Sequence, residues 1–320
     1  MKLFVWHLHG SYTTSLVQGE HEYLIPVLPD RGPFGRGRAE TWEWPASAVE
    51  LTPFEAAGCD VDVVILQRPE ELELGTAWLG GRVPGRDLPA IYLEHNAPQG
   101  RIADMEHPMA HLAGSHPLLQ VVHVTHFNAL FWDCGALATR VVEHGVVDPG
   151  YRYGGELERC VATINEPARR GRVTGTDLLE PLARDLPIDL FGIGVERAGG
   201  IANLSQHQLY DEMARRRAYV HPFRWTSLGL SLLEAMHLGM PIAAVDTTEA
   251  SEAVPPTAGV VSNRIDVLQA ALRRWRDDPD EAREVGQHAR EAVLARYGLE
   301  RFLADWDDVL ARAVALERVA

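Results

Sequence analysis

Short apolar runs punctuate the chain, and stretches with helical spacing separate them. In the first half they are Leu3–Leu8, Val61–Leu66, Ala90–Leu93, Leu119–Val124 and Arg140–Val142. They are rich in β-branched residues and do not alternate with polar ones. Strands buried on both faces of a parallel sheet have that pattern. Asp148-Pro149-Gly150 and Gly154-Gly155 interrupt it. It then restarts with Arg159–Ile164, Ile188–Gly192, Ala218–His221 and Ile242–Val245. Strand–helix alternation in each half predicts an α/β protein of two doubly wound, Rossmann-like domains, residues 1–149 and 150–320. The 320 residues suffice for two cores of about 150 residues each. Ligands of such sheets bind beyond the carboxyl ends of the strands, and two facing domains make an interdomain cleft. The chain closes on helical patterns at Arg264–Trp275, Asp280–Tyr297 and Glu300–Leu316. Gly298 breaks the last two apart, and the final helix is placed to pack back on the first domain.

Charge and cysteine usage narrow the class. A net charge of −15 argues against nucleic-acid binding, which rewards clustered positive charge. One basic pocket for a small anion remains compatible with it. Cys59, Cys134 and Cys160 are far apart and lack metal-ligand spacing, as expected of buried thiols in a reducing compartment. The first residues read as a strand rather than a secretory signal. No run approaches the roughly 18 apolar residues of a membrane span. The expected location is cytoplasmic, with no transmembrane segment. Lys2 is the only lysine. An internal phosphate site must therefore use arginine, backbone amides or histidine.

The segment His221–Pro241 carries the strongest chemistry. A strand ends at His221, a polar turn runs through Ser227, and a helix spans Gly229 to Leu238. Gly239 caps it and Pro241 blocks its continuation. The helix is apolar nearly all round, which predicts burial. Glu234 sits in its middle. A buried carboxylate needs a partner. A sugar diol is one, since each oxygen accepts one hydroxyl proton; a core arginine is the alternative. The helix start offers amides at Ser227, Leu228, Gly229 and Leu230, which suit a phosphate.

This segment resembles the donor-site motif of the retaining family 4 glycosyltransferases, which have the GT-B fold. Their pattern has two glutamates separated by seven residues, an Ala-Met pair and a Gly-x-Pro turn. Leu233-Glu234-Ala235-Met236, Gly239, Pro241 and Leu228-Gly229-Leu230 match it, while Thr226 stands at the first glutamate. The resemblance implies that Glu234 holds the nucleotide ribose and places Thr226 at the donor sugar. Val141–Asp148 is similar to the family's hinge, with His144 in place of its asparagine. Asn165–Leu179 is similar to the loop that supplies an arginine and a lysine to the diphosphate. Thr174 occupies the lysine position, so Arg169, Arg170 and Arg172 are the substitutes, Arg172 being favoured by its spacing to Gly175. Phe191-Gly192-Ile193-Gly194 resembles a strand-end glycine turn. Asn203 and Leu209 occupy the place of the base-binding loop.

In the first half, Gly10 after His9 resembles the glycine loop facing the donor phosphate, where a missing Cβ lets backbone approach closely. His95 matches a histidine beside the donor sugar; a structural role is the competing reading. His126 and Asn128 are weaker candidates of the same kind. Residues 30–45 form a long loop near the first strand. Arg31, Arg36 and Arg38 with Phe34, Trp42 and Trp44 suit either a loop packed on its own tryptophans or contact with an acceptor or a membrane surface. Asp60-Val61-Asp62 lies at the wrong end of a strand for a metal pair, so no metal site is expected.

The resemblance implies metal-independent transfer, with retention, from a nucleotide-diphosphate sugar to an acceptor hydroxyl. That donor is a co-substrate, and no cofactor is expected. His95, Arg172 and Glu234 are the residues expected to carry the reaction. The acceptor is a glycan, a lipid-linked molecule or a small molecule. A GT-B sugar-nucleotide epimerase and a non-catalytic sugar-nucleotide-binding protein are the competing readings.

Overall fold

A computed structural model of the chain describes residues 1–100, 105–202 and 204–317. The chain divides into two compact units. Met1–Gly145 and the segment from Leu299 onward form the first, and Val146–Gly298 forms the second. The division thus falls four residues before the expected boundary of 149/150, and the final helix belongs to the first unit.

The first unit is built on a seven-stranded, wholly parallel sheet. Its strands are β1 (Lys2–Val5), β2 (Glu22–Pro26), β3 (Ala48–Leu51), β4 (Val63–Leu66), β5 (Ala90–Glu94), β6 (Leu119–His123) and β7 (Ala138–Val141). Their order is β3-β2-β1-β4-β5-β6-β7. The Val63–Leu66 run is fully buried, which explains its unbroken apolar sequence. The strand order reverses between β1 and β4, so the crevice at their carboxyl ends is the place this topology reserves for a ligand. Helix Leu299–Glu317 covers the unit with Phe302 and Trp306. The Trp306 indole donates to the Tyr12 hydroxyl at 3.0 Å.

Residues 30–45 form an irregular loop tied down from within. Arg38 donates to the carbonyls of Trp44, Pro45 and Ala48. The Trp44 indole donates to Thr14 Oγ1 at 2.8 Å, and the Trp6 indole to the Phe34 carbonyl at 3.1 Å. Arg31 forks onto Glu50. These contacts describe a loop packed on its own aromatics beside β1. Asp62 accepts the Lys2 backbone amide at 2.6 Å, a structural use at the amino end of the sheet.

The second unit has a five-stranded parallel sheet, β12-β11-β10-β8-β9. Its strands are β8 (Leu157–Thr163), β9 (Ile188–Phe191), β10 (Arg216–His221), β11 (Ile242–Ala244) and β12 (Gly259–Val261). Here the order reverses between β8 and β10. Helix Leu230–Leu238 follows β10, and its residues Leu232–Leu238 are all buried. Helix Pro279–Tyr297 packs against it so closely that a Cβ at Gly286 would lie 2.0 Å from the Gly239 carbonyl oxygen. Asp278 starts that helix by accepting the amides of Asp280 and Glu281. Among the described residues no helix is long and apolar enough to cross a membrane. All three cysteines are free thiols.

Candidate functional site

In the second unit, the loops after β8, β9 and β10 converge at the switch point. Glycines set their approach. Gly175 has φ +68°, and a Cβ there would stand 1.8 Å from the Pro222 carbonyl oxygen. Gly192 has φ +144°, and its Cβ would stand 2.1 Å from the Ile164 carbonyl oxygen. A side chain at either position would push apart the loops that define the site. Asn165 Oδ1 accepts the Ile193 amide at 2.9 Å, joining the β8 and β9 ends. The Arg224 amide donates to the Val173 carbonyl at 2.9 Å, joining the β8 and β10 ends.

The arginines of the β8 loop differ in circumstance. Arg169 has 69% side-chain exposure and pairs with Glu166. Arg172 has 78% exposure, and its guanidinium donates to Asp177 at 3.0 Å. Arg170 is half-buried, lies over the Phe223 ring at 5.6 Å, and makes no ion pair among the described residues. Burial, then the neighbouring Arg169, lowers its pKa below the usual guanidinium value, though it stays charged. The arginine held against the end of β10 is therefore Arg170 rather than Arg172. Thr174, at the expected lysine position, is fully buried. Its hydroxyl donates to the Gly171 carbonyl at 2.9 Å. Sequence inspection missed Arg224, which forks onto Asp177 and donates to the Arg172 carbonyl, fastening the two loops.

The turn into helix Leu230–Leu238 is held against the end of β10. Gly229 is the N-cap, with φ −74°, ψ 121° and no side-chain cap bond. The amides of Leu228, Gly229 and Leu230 donate to no protein acceptor among the described residues. Unsatisfied donors at a helix start attract an anion. Ser227 is buried, and Thr226 beside it is half-buried. Glu234 is 4% exposed, one helical turn further in. Tyr210 of helix Gln206–Ala214 lies near it: burial first, then the Glu234 charge, raises the Tyr210 hydroxyl pKa well above its ordinary value. Leu209 is half-buried on the same helix, and Asn203 lies outside the described residues. His221 closes β10, stacked on Phe223 at 4.6 Å, with burial lowering its pKa to about 3.

In the first unit, the β1–β4 switch point gathers His9, Gly10, Gln67 and His95. The rings of His9 and His95 lie 4.2 Å apart, and the Tyr12 ring meets His95 edge-on at 4.6 Å. His144 approaches Tyr12 at 5.6 Å and is buried. Burial, with His9 and His144 nearby, holds the His95 pKa well below the ordinary imidazole range. Burial likewise takes His144 down to about 3. Both rings are therefore neutral at pH 7. Gly10 begins helix Gly10–Leu16, and a Cβ there would meet Trp42 at an ordinary 3.5 Å. Packing alone does not demand glycine at that position.

Asn128 is buried and serves the scaffold, its side chain donating to the Glu94 carbonyl at 3.3 Å. His126 is exposed. It lines a polar groove of about 350 Å³ beside the end of β7, with Arg140, Glu143, Asp305 and Asp308. Among the described residues no group of three or more His, Cys, Asp or Glu side chains is placed to hold a metal ion.

Comparison with known proteins agrees with this architecture. Residues 200–292 match the family model "Glycosyl transferases group 1". That segment contains Thr226, the Ser227–Leu230 turn and Glu234. Among curated protein sequences, none matches. Among solved structures, sucrose-phosphate synthase from Thermosynechococcus elongatus superposes with a TM-score of 0.72 at 12% identity, covering 98% of this chain and 99% of that one. Anabaena HepE in complex with UDP and glucose gives 0.68 at 14%, covering 98% and 100%. A glycosyltransferase from Rickettsia africae gives 0.66 at 11%, covering 98% of each chain. The fold is the α/β fold of the GT-B glycosyltransferases, with a parallel sheet in each unit.

Proposed function

We propose that this protein is a retaining, metal-independent glycosyltransferase that moves a sugar from a nucleoside-diphosphate sugar to an acceptor hydroxyl. The observation that carries the reading is Glu234. It is a carboxylate buried in an apolar helix whose first turn has unsatisfied amides, and the half-buried Arg170 lies over Phe223, two residues beyond the end of the strand that leads into that helix. A nucleotide suits all three: the ribose diol donates to the Glu234 carboxylate, which also faces the Tyr210 hydroxyl, and the diphosphate accepts from the amides and from Arg170. UDP is the favoured nucleotide, because HepE, of the same fold, is known in complexes with UDP and UDP-glucose.

Charge builds on the diphosphate as the glycosidic bond breaks. Preorganised donors aimed at that charge lower the barrier. Arg170 and the Leu228–Leu230 amides are such donors, and Arg169 and Arg172 add positive potential from the rim. The leaving phosphate oxygen takes the acceptor proton, so the chemistry asks for no separate protein base. The second unit holds the donor nucleotide. The first unit takes the acceptor, with His95 touching the donor sugar. The acceptor is a glycan, a lipid-linked molecule or a small molecule. The free thiols suit a cytoplasmic setting. Thr226 in the first acid's place favours one alternative, a sugar-nucleotide-binding protein without turnover.

A thermal-shift panel of UDP, GDP, ADP and TDP tests the reading, since a ligand of the folded state raises the midpoint by mass action. At least one nucleotide is expected to raise it. Glu234→Ala should weaken that nucleotide by roughly 1–3 kcal/mol. A folded Glu234→Ala variant that binds as tightly as the parent defeats the ribose assignment. A parent that binds a nucleotide sugar but shows no turnover with any donor–acceptor pair supports the alternative.

A further inference from the structure

Gln67 ends β4 at the switch point, is 4% exposed, and has each of its hydrogen-bonding groups engaged. Its backbone amide donates to Glu71 Oε2 at 2.6 Å, and its carbonyl accepts from the Tyr92 hydroxyl at 3.4 Å. Its side-chain nitrogen donates to the Trp6 carbonyl at 2.6 Å. Its side-chain oxygen lies 3.0 Å from His95 Nε2. These contacts fix the direction of the last bond. The Trp6 carbonyl can only accept, so the amide nitrogen of Gln67 must face it. The amide oxygen is then left for His95, and it too can only accept. His95 must therefore donate from Nε2, and the lone pair of the neutral ring falls on Nδ1.

We propose that Gln67 is a positioning residue for His95, holding it as the Nε2–H tautomer so that the ring receives a sugar hydroxyl at Nδ1 and repels phosphate oxygens. The inference rests on the proposed contact between His95 and the donor sugar, and it names what that contact recognises. Three strands contribute: Trp6 follows β1, Gln67 follows β4 and His95 follows β5. The His9 and Tyr12 rings flank the imidazole and oppose its rotation. A group whose neighbours fix its proton and its plane is ready for one geometry of hydrogen bond and disfavours others.

Long-range ¹H–¹⁵N correlation of the ¹⁵N-histidine-labelled full chain reads the tautomer directly, with His95→Asn identifying the resonances. The expected pattern at pH 7 is the Nε2–H form. A His95 signal of the Nδ1–H form, or of a charged ring, overturns the proposal without any variant of Gln67. Gln67→Met keeps the volume and removes the acceptor. It should yield a mixture of tautomers and lower kcat by about tenfold or more, with the affinity for the nucleoside diphosphate unchanged. An altered tautomer with parental kcat overturns the positioning role and leaves the transferase reading in place. If the parent turns over no nucleotide sugar, the transferase reading itself falls, whatever the spectrum shows.

Discussion

Gly229 lies against the edge of the His221 ring: a Cβ on it would stand 2.6 Å from Cε1 and 3.3 Å from Nε2. The ring has little freedom to retreat, because it is buried at the end of β10 and stacked on Phe223. Gly229→Ala should therefore cost about 1–3 kcal/mol of stability, the usual range for overpacking. It should also shrink any nucleotide-induced rise in melting midpoint, since the displaced turn carries the Leu228–Leu230 amides. Urea unfolding measures the first effect and thermal shift the second. A variant within about 0.5 kcal/mol of the parent would mean that the ring moves aside.

Arg170 and Arg172 should separate when each is replaced by alanine. Arg170 is half-buried over Phe223, whereas Arg172 is exposed and engaged by Asp177. Losing a charge-assisted bond to phosphate costs about 1.5–3 kcal/mol. Calorimetric titration of Arg170→Ala with a nucleoside diphosphate should show a loss of that size, and titration with the bare nucleoside almost none. Arg172→Ala should lose distinctly less. The opposite ranking would restore the rim arginine as the principal diphosphate contact.

Asp148 supplies a test of acid stability. The Arg290 guanidinium forks onto it at 2.8 and 2.9 Å and lowers its pKa to about 2. The folded value lies below that of the unfolded chain. The stabilisation is thus complete above about pH 4 and disappears as the pH falls through 2. The carboxylate is 39% exposed, so solvent screening leaves a contribution on the order of 1 kcal/mol. Asp148→Asn should be less stable than the parent by that amount at pH 7, and the gap should close toward pH 2. Denaturant midpoints at the two pH values decide it. A gap that persists at pH 2 would assign the loss to packing rather than charge.

The sheets were legible to the extent that their strands are buried on both faces. Val63–Leu66 and Ala90–Glu94 announce themselves because no position faces water. β2 is buried from Tyr23 onward and lies in the apolar stretch 23–28, but Pro26 within that stretch argues against a central strand, and β3 and β12 are short edge strands with partly exposed residues. The last helix joins the first unit because Phe302 and Trp306 find Tyr12, a long-range contact that no local pattern encodes.

The candidate site was legible unevenly for a similar reason. Glu234 stands out as a lone acid in an apolar helix. The difference between Arg170 and Arg172 was invisible, because Gly171, at φ +55°, turns the chain between them and sends them into different surroundings. Gln67 gave no signal at all. An amide at a strand end belongs to no motif, and its use appears only when β1 and β5 are seen on either side of β4.

Lys2 begins β1, with its backbone tied to Asp62, while His9, Gln67 and His95 all follow the carboxyl ends of their strands. As the sequence contains no second lysine side chain, an amine-reactive dye or resin has one side-chain anchoring point, next to the α-amino group of Met1. That point lies on the rim of the first sheet remote from the imidazoles. A tethered or labelled preparation would thus keep the whole histidine cluster unmodified, and every cation near Glu234, being a guanidinium, would escape the reagent as well.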